Sequence, residues 1–190
     1  MKKFIAFICL FVVLGPLLRA GLYVQPSVNY LFLGDGYKDE VGLGLSAGYN
    51  FDKDHSLGVE VTRFKAETHG RKPFTDWNSQ RTIIPVLASY RFSLPVEKSF
   101  AFFAGPSIGI MVETYEYSEA YQFWYLIPPI YTSSRETVRP LCYGGEIGLT
   151  GRLTKSISVS LAAKAFRANS ANSHPSATYC MLQFAGRYEF

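Results

Sequence analysis

The chain has 190 residues, 48% hydrophobic and 16% aromatic, which excludes a disordered segment and suits one domain or one closed barrel. Charged residues make up 18%, below the ~25% usual in soluble domains. When Lys2, Lys3 and Arg19 are set aside as part of a leader, 16 of the 19 bases remain against 15 acids, a near-neutral balance with no footprint for nucleic-acid binding.

The first element in chain order is that leader. Lys2 and Lys3 precede an unbroken apolar run from Phe4 to Leu14, long enough for the core of a secretory signal and too short for a membrane-spanning helix. Residues 1–20 are therefore expected to be a signal peptide cut after Ala20, although Leu18 is bulkier than the small residue usual at that position. Cys142 and Cys180 remain beyond it. Strand parity directs Cys142 inward and Cys180 outward on non-adjacent strands, which argues against a disulfide even in an oxidising compartment. His55, His69 and His174 are scattered without metal-ligand spacing, so neither a metal nor a cofactor is expected.

From residue 21 onward the hydropathy alternates with period two, the strand signal. The pattern predicts strands at Leu22–Leu33, Glu40–Phe51, Ser56–Lys65, Arg81–Phe92, Phe100–Glu113, Arg139–Thr150, Ile157–Arg167 and Ala177–Phe190. Several are about the 9–11 residues a tilted strand needs to cross a bilayer. The connections Asp52–His55, Ser93–Ser99 and Gly151–Ser156 are short, whereas Ala66–Gln80 and Thr114–Val138 are long. Ala168–Ser176 is intermediate, and Gly34–Asp39 is short where the alternation expects length. Short turns on one side and long loops on the other are the arrangement of bacterial membrane barrels.

Alternation alone does not separate such a barrel from a secreted soluble one; the residues on each face do. In the second strand Val41, Leu43, Leu45, Ala47, Tyr49 and Phe51 oppose Gly42, Gly44, Ser46, Gly48 and Asn50. The seventh and eighth strands repeat the pattern: Ile157, Val159 and Leu161 oppose Ser158, Ser160 and Ala162, while Leu182, Phe184, Tyr188 and Phe190 oppose Gln183, Ala185, Arg187 and Glu189. A water-facing surface would be rich in Lys and Glu. Small residues with isolated charges suit the cramped interior of an eight-stranded barrel. Tyr49, Phe51, Tyr90, Phe92, Phe102, Tyr188 and Phe190 fall on the apolar face near the short turns, the position of an interfacial aromatic girdle.

The segment Gln183-Phe184-Ala185-Gly186-Arg187-Tyr188-Glu189-Phe190 resembles the terminal signal read by the outer-membrane barrel-assembly machinery, ending aromatic-x-aromatic in Tyr188 and Phe190. Its customary glycine would fall on Ala185, with Gly186 one step late. Residues 21–190 as a whole resemble the OmpA/OmpX-like superfamily of small outer-membrane barrels. The resemblance implies an all-β, eight-stranded, antiparallel up-and-down transmembrane barrel in the outer membrane of a Gram-negative bacterium. It also implies an assembly signal at Phe184, Tyr188 and Phe190, with the assembly machinery as partner during biogenesis.

Parity directs Glu60, Arg91, Glu113, Glu146, Lys164, Arg187 and Glu189 inward. Unpaired charge in a narrow lumen is costly, so a pairing network that fills the lumen is expected, with Glu146 and Lys164 nearly opposite each other. On the outward face Arg63, Lys65, Arg139 and Arg167 end apolar rows at the long-loop rim, as a collar that lipopolysaccharide phosphates would accept. The segment Thr114–Val138 is rich in aromatics (Tyr115, Tyr117, Tyr121, Phe123, Trp124, Tyr125, Tyr131), with Ile127 and Ile130 and the pair Pro128-Pro129. It reads either as a surface for an extracellular partner or as a hairpin whose aromatics pack on one another. A third pattern, His174 and Ser176 with Glu189, echoes some lipid A deacylases, but Pro175 intervenes and Glu189 lies at the far end of its strand. The expectation is a non-enzymatic outer-membrane protein with a filled lumen, structural or adhesive through its loops. A lipid A-modifying enzyme and a small pore are the alternatives.

Overall fold

A computed structural model of the chain describes residues 21–33, 38–72, 75–121, 130–171 and 175–190. The leader at 1–20, His174 and the loop residues Phe123, Trp124, Tyr125, Ile127, Pro128 and Pro129 lie outside them. The described chain is all strand and turn: β1 (Leu22–Phe32), β2 (Glu40–Asn50), β3 (His55–Lys72), β4 (Thr75–Glu97), β5 (Phe100–Tyr121), β6 (Ile130–Val138), β7 (Leu141–Arg152), β8 (Ile157–Ala168) and β9 (Ala177–Glu189).

Each strand is antiparallel to its neighbours, and the sheet closes on itself because β1 pairs with both β2 and β9 while β4 pairs with β5. β6 and β7 are two segments of one stave. Both pair with β5 in one unshifted register, Glu113 opposite Val138 and Ile110 opposite Leu141. The stave is interrupted at Arg139-Pro140, because Pro140 has no N–H to give the ladder; its carbonyl still accepts from the Met111 N–H at 2.9 Å. The ring is therefore an eight-staved up-and-down barrel, and closure leaves no free edge around its girth.

Local chemistry sets the short turns. At the β2–β3 turn the Asp52 carboxylate accepts the backbone N–H groups of Asp54 and His55, both at 2.8 Å, which holds its pKa below the ordinary value. At the β7–β8 turn the Thr154 hydroxyl takes the N–H of Ile157 at 3.0 Å and that of Ser156 at 3.3 Å. The opposite ends differ from expectation. Ala66–Gln80 and Thr114–Val138, expected as loops, are largely strand: β3 and β4 stay paired from Phe64–Ile83 to Lys72–Thr75, and β5 and β6 from Glu113–Val138 to Tyr121–Ile130. Hydrophobic alternation ends where the apolar belt ends, but the backbone ladder continues on Thr and Tyr residues that suit strands without being apolar.

The result is a four-stranded fin, in the order β3-β4-β5-β6, rising past the other staves at the long-loop end. Among the described residues the fin portion of β3 pairs only with β4, and β6 pairs only with β5, so the fin has two open edges.

Outward positions of the barrel form an exposed apolar belt, from Val28, Leu43, Leu45 and Val59 round to Ile108, Leu149, Leu161 and Phe184. Inward glycines make room for large neighbours. A Cβ on Gly42 would stand 2.5 Å from the Phe64 ring, and one on Gly48 would stand 2.5 Å from the Tyr23 ring and hydroxyl. The small inward face of β2 is thus the space its neighbours' side chains fill.

Candidate functional site: the lumen and its two rims

The inward side chains sort into layers along the barrel axis. Nearest the long-loop end, Arg81 meets Glu113 at 2.9 Å, and the Tyr179 hydroxyl bridges the pair, 2.6 Å from Glu113 Oε1 and 2.5 Å from the guanidinium. Tyr115 also donates to Glu113. Arg81 opens the expected strand Arg81–Phe92 and shares the inward parity of Arg91, yet it was not among the charges expected in the lumen.

Beneath lies an apolar plug. Leu31, Phe64, Ile83, Leu87, Met111, Phe166 and Met181 are each at most 2% exposed, and Cys142 is buried among them. Phe166 and Tyr179 stack with ring centroids 5.5 Å apart. The signal for this plug was in the sequence, since Phe64 shares parity with Glu60 and Thr62, and Phe166 with Lys164. The inward face of the barrel is therefore not only Gly, Ser and Ala with isolated charges.

The middle layer is ionic. Glu146 and Lys164 are register partners with charged atoms 3.2 Å apart. The network has stronger bonds than that pair. Arg91 forks onto Glu146, its Nε bonding Oε1 and its other nitrogen reaching Oε2 at 3.0 Å. Lys164 reaches across the lumen to Glu60. Gln183 donates to Glu60 at 2.9 Å and to Asn29 at 3.0 Å, and Thr62 donates to Glu60 at 3.1 Å. Two carboxylates and two cations thus neutralise one another while amides and hydroxyls take the remaining lone pairs, the condition under which buried charge is tolerated. Arg187 and Glu189 sit lower, at the short-turn mouth, 3.9 Å apart and only partly buried.

The outward features sit on the opposite face. Phe51, Tyr90, Phe92, Phe102, Tyr188 and Phe190 are exposed towards the short-turn end, and Tyr49 is partly so. Tyr188 and Phe190 meet edge-to-face at 5.1 Å. Arg63, Lys65, Arg139 and Arg167 are all exposed on the outward face. Lys65 pairs with Glu67 at 2.6 Å, and Arg167 donates to the Ser176 hydroxyl at 3.1 Å. Cys180 is exposed, on the face opposite that of Cys142. Ser176 and Glu189 stand at opposite ends of β9, Glu189 taking the Asn50 amide at 3.2 Å, so the described residues do not bring them together.

On the fin Glu119 accepts from both Tyr117 and Tyr121, and this bond pushes the Tyr117 phenol up to about 12. Trp77, on the adjacent strand β4 and opposite Glu119, lies over Gly70, where a Cβ would stand 2.5 Å from the indole.

A closed eight-staved barrel, apolar outside and filled inside, with short turns at one end and long hairpins at the other, defines the class of small outer-membrane-type barrels. Comparison with solved structures agrees on the fold. Neisserial surface protein A is 17% identical, with a TM-score of 0.58 over 90% of this chain and 98% of its own. OprH from Pseudomonas aeruginosa is 15% identical, with a TM-score of 0.54 over 90% of this chain and 100% of its own. OprG from the same organism is 13% identical, with a TM-score of 0.53 over 90% and 97%. No family model and no curated sequence matches the chain. The chain shares the barrel fold of these small outer-membrane proteins.

Proposed function

We propose that this protein is a non-enzymatic resident of a Gram-negative outer membrane, exported by the leader at 1–20, and that it acts as an adhesion or interaction protein through its long-loop end. The observation that carries this reading is the fin. β6 is exposed at every residue from Ile130 to Thr137 and, among the described residues, pairs on one side only. An open edge of this kind offers a row of backbone N–H and C=O groups to an extended segment of another protein. Tyr131 is 75% exposed and Ile130 56%, giving that edge apolar anchors. The apolar plug supports a closed lumen, which leaves the rims as the surfaces that act.

Expression in a Gram-negative host, membrane fractionation and a heat-modifiability gel test the location; a soluble periplasmic product overturns it. Adhesion of those cells to host-matrix proteins, compared with cells carrying a deletion of residues 116–135, tests the fin. Equal adhesion would remove the fin from the reading.

The same reading assigns the rims. Arg63, Lys65, Arg139 and Arg167 would seat the barrel among lipopolysaccharide phosphates, which arginine grips with paired hydrogen bonds. Replacing all four by Gln is expected to weaken association with lipopolysaccharide; unchanged association reduces them to a boundary that snorkels out of hydrocarbon. Phe184, Tyr188 and Phe190 would be read by the assembly machinery. Phe190→Asp is then expected to cut the yield of heat-modifiable barrel, and a normal yield counts against that role.

A further inference from the structure

The short-turn mouth opens into a recess of about 370 Å³ whose lining includes Lys53, Arg91, Arg152 and Arg187 together with Asp52 and Glu189. The cations differ in how far their charge is already met. Arg91 is forked onto Glu146, and the middle layer of Arg91, Lys164, Glu60 and Glu146 balances internally. Arg187 lies outside that balance. Its Nε donates to the neutral Gln25 Oε1 at 3.1 Å, an oxygen already taken by Arg91 at 3.2 Å. Its NH1 reaches the Asn50 oxygen at 3.5 Å, and its nearest carboxylate oxygen, on Glu189, is 3.9 Å away. The side chain is nonetheless only 14% exposed, and its guanidinium carbon lies 3.8 Å from the centroid of the Tyr23 ring. It is a half-buried, stacked, oriented fork without a full-strength acidic partner.

The acids of the recess are committed elsewhere: Asp52 to its turn N–H groups and Glu189 to the Asn50 amide. Arg152 and Lys53 are exposed at the rim and form no ion pair among the described residues. A guanidinium held in a concave, partly desolvated site binds planar oxyanions through paired, charge-assisted hydrogen bonds.

We propose that the short-turn mouth is a binding site for a small oxyanion, a phosphate or a carboxylate, with Arg187 as its half-buried fork and Arg152 and Lys53 as its rim. The site stands at the end opposite the fin and does not depend on the adhesive reading. An anion there completes the charge of Arg187 and locks the Tyr23–Arg187–Gln25 arrangement that closes the lumen from below.

The test is a titration of isotope-labelled protein, purified from the membranes of an expressing host in an uncharged detergent. Sodium phosphate and sodium acetate are added separately at constant ionic strength, and backbone amide shifts are followed. The expected result is saturable movement confined to the mouth, at residues such as Asn50, Ser56 and Thr150. The anion that saturates at lower concentration identifies the preferred group. Arg187→Gln is expected to weaken that binding about tenfold or more, the loss of a charge-assisted pair. The double variant Lys53→Gln with Arg152→Gln is expected to weaken it several-fold without touching the lumen network. Non-saturating shifts with both anions overturn the proposal. If Arg187→Gln fails to assemble, the rim variant decides: unchanged affinity there also overturns it.

Discussion

The long-loop half of the lumen and its middle are built on the same wall and by the same parity, yet they are filled by opposite chemistries. Leu31, Phe64, Ile83, Met111, Phe166 and Met181 pack together almost without exposure. Directly below them Arg91, Lys164, Glu60 and Glu146 hold one another by charge. An apolar residue is stabilised by leaving water, whichever apolar neighbour it meets. A buried charge is tolerated only while its counter-charge stays in place. The plug can therefore seal the barrel by volume alone, whereas the ionic layer ties named staves together and fails when one member is lost.

That difference can be broken experimentally. The largest effect is expected at Lys164, which serves both Glu60 and Glu146. Lys164→Met should destabilise the barrel by about 3–5 kcal/mol, because two buried carboxylates lose their shared cation. Adding Glu60→Gln should recover part of that loss, a coupling that a double-mutant cycle of unfolding midpoints measures. Strictly additive losses would mean that the two residues do not act as a pair.

Met111→Ala in the plug comes next, with an expected cost of about 3 kcal/mol from lost burial and the residual cavity. No second substitution that removes a neighbour should rescue it; a rescue as large as that at Lys164 would erase the contrast between the halves.

A turn outside both layers supplies the smallest effect. The folded pKa of Asp52 is depressed by the turn N–H groups, so its contribution is present above the unfolded carboxylate value and lost as pH falls through the folded one. Asp52→Ala should lower the unfolding midpoint slightly at neutral pH and leave it unchanged in strong acid. A larger loss in acid than at neutrality would show that the carboxylate is not what holds the turn.

The barrel wall and the fin differ in how far they could be read. Val41, Leu43 and Leu45 alternate with Gly42, Gly44 and Ser46, and that contrast announces both strand and face. Residues 67–70, 76–80 and 116–121 carry no such contrast, because both of their faces stand clear of the apolar belt. Their strands are fixed by pairing with one another, as in Tyr117 opposite Ser79, which no single-segment pattern reports. The assignment of those stretches to loops failed for that reason.

Period-two patterning by itself determined which side of the wall each residue takes: Glu60, Arg91, Glu146 and Lys164 inward, Arg63, Lys65, Arg139 and Arg167 outward. It also placed Glu146 beside Lys164, since a short turn fixes the register of a hairpin. Only the closed tertiary structure decided who meets whom across the lumen. Arg91 reaches Glu146 from two staves away, Lys164 reaches Glu60 from the opposite wall, and Arg187 is left facing an open recess with Glu189 just out of hydrogen-bond range. The alternation of a strand specifies a face, whereas a partner across the barrel depends on closure, stagger and side-chain reach, which are properties of the whole ring.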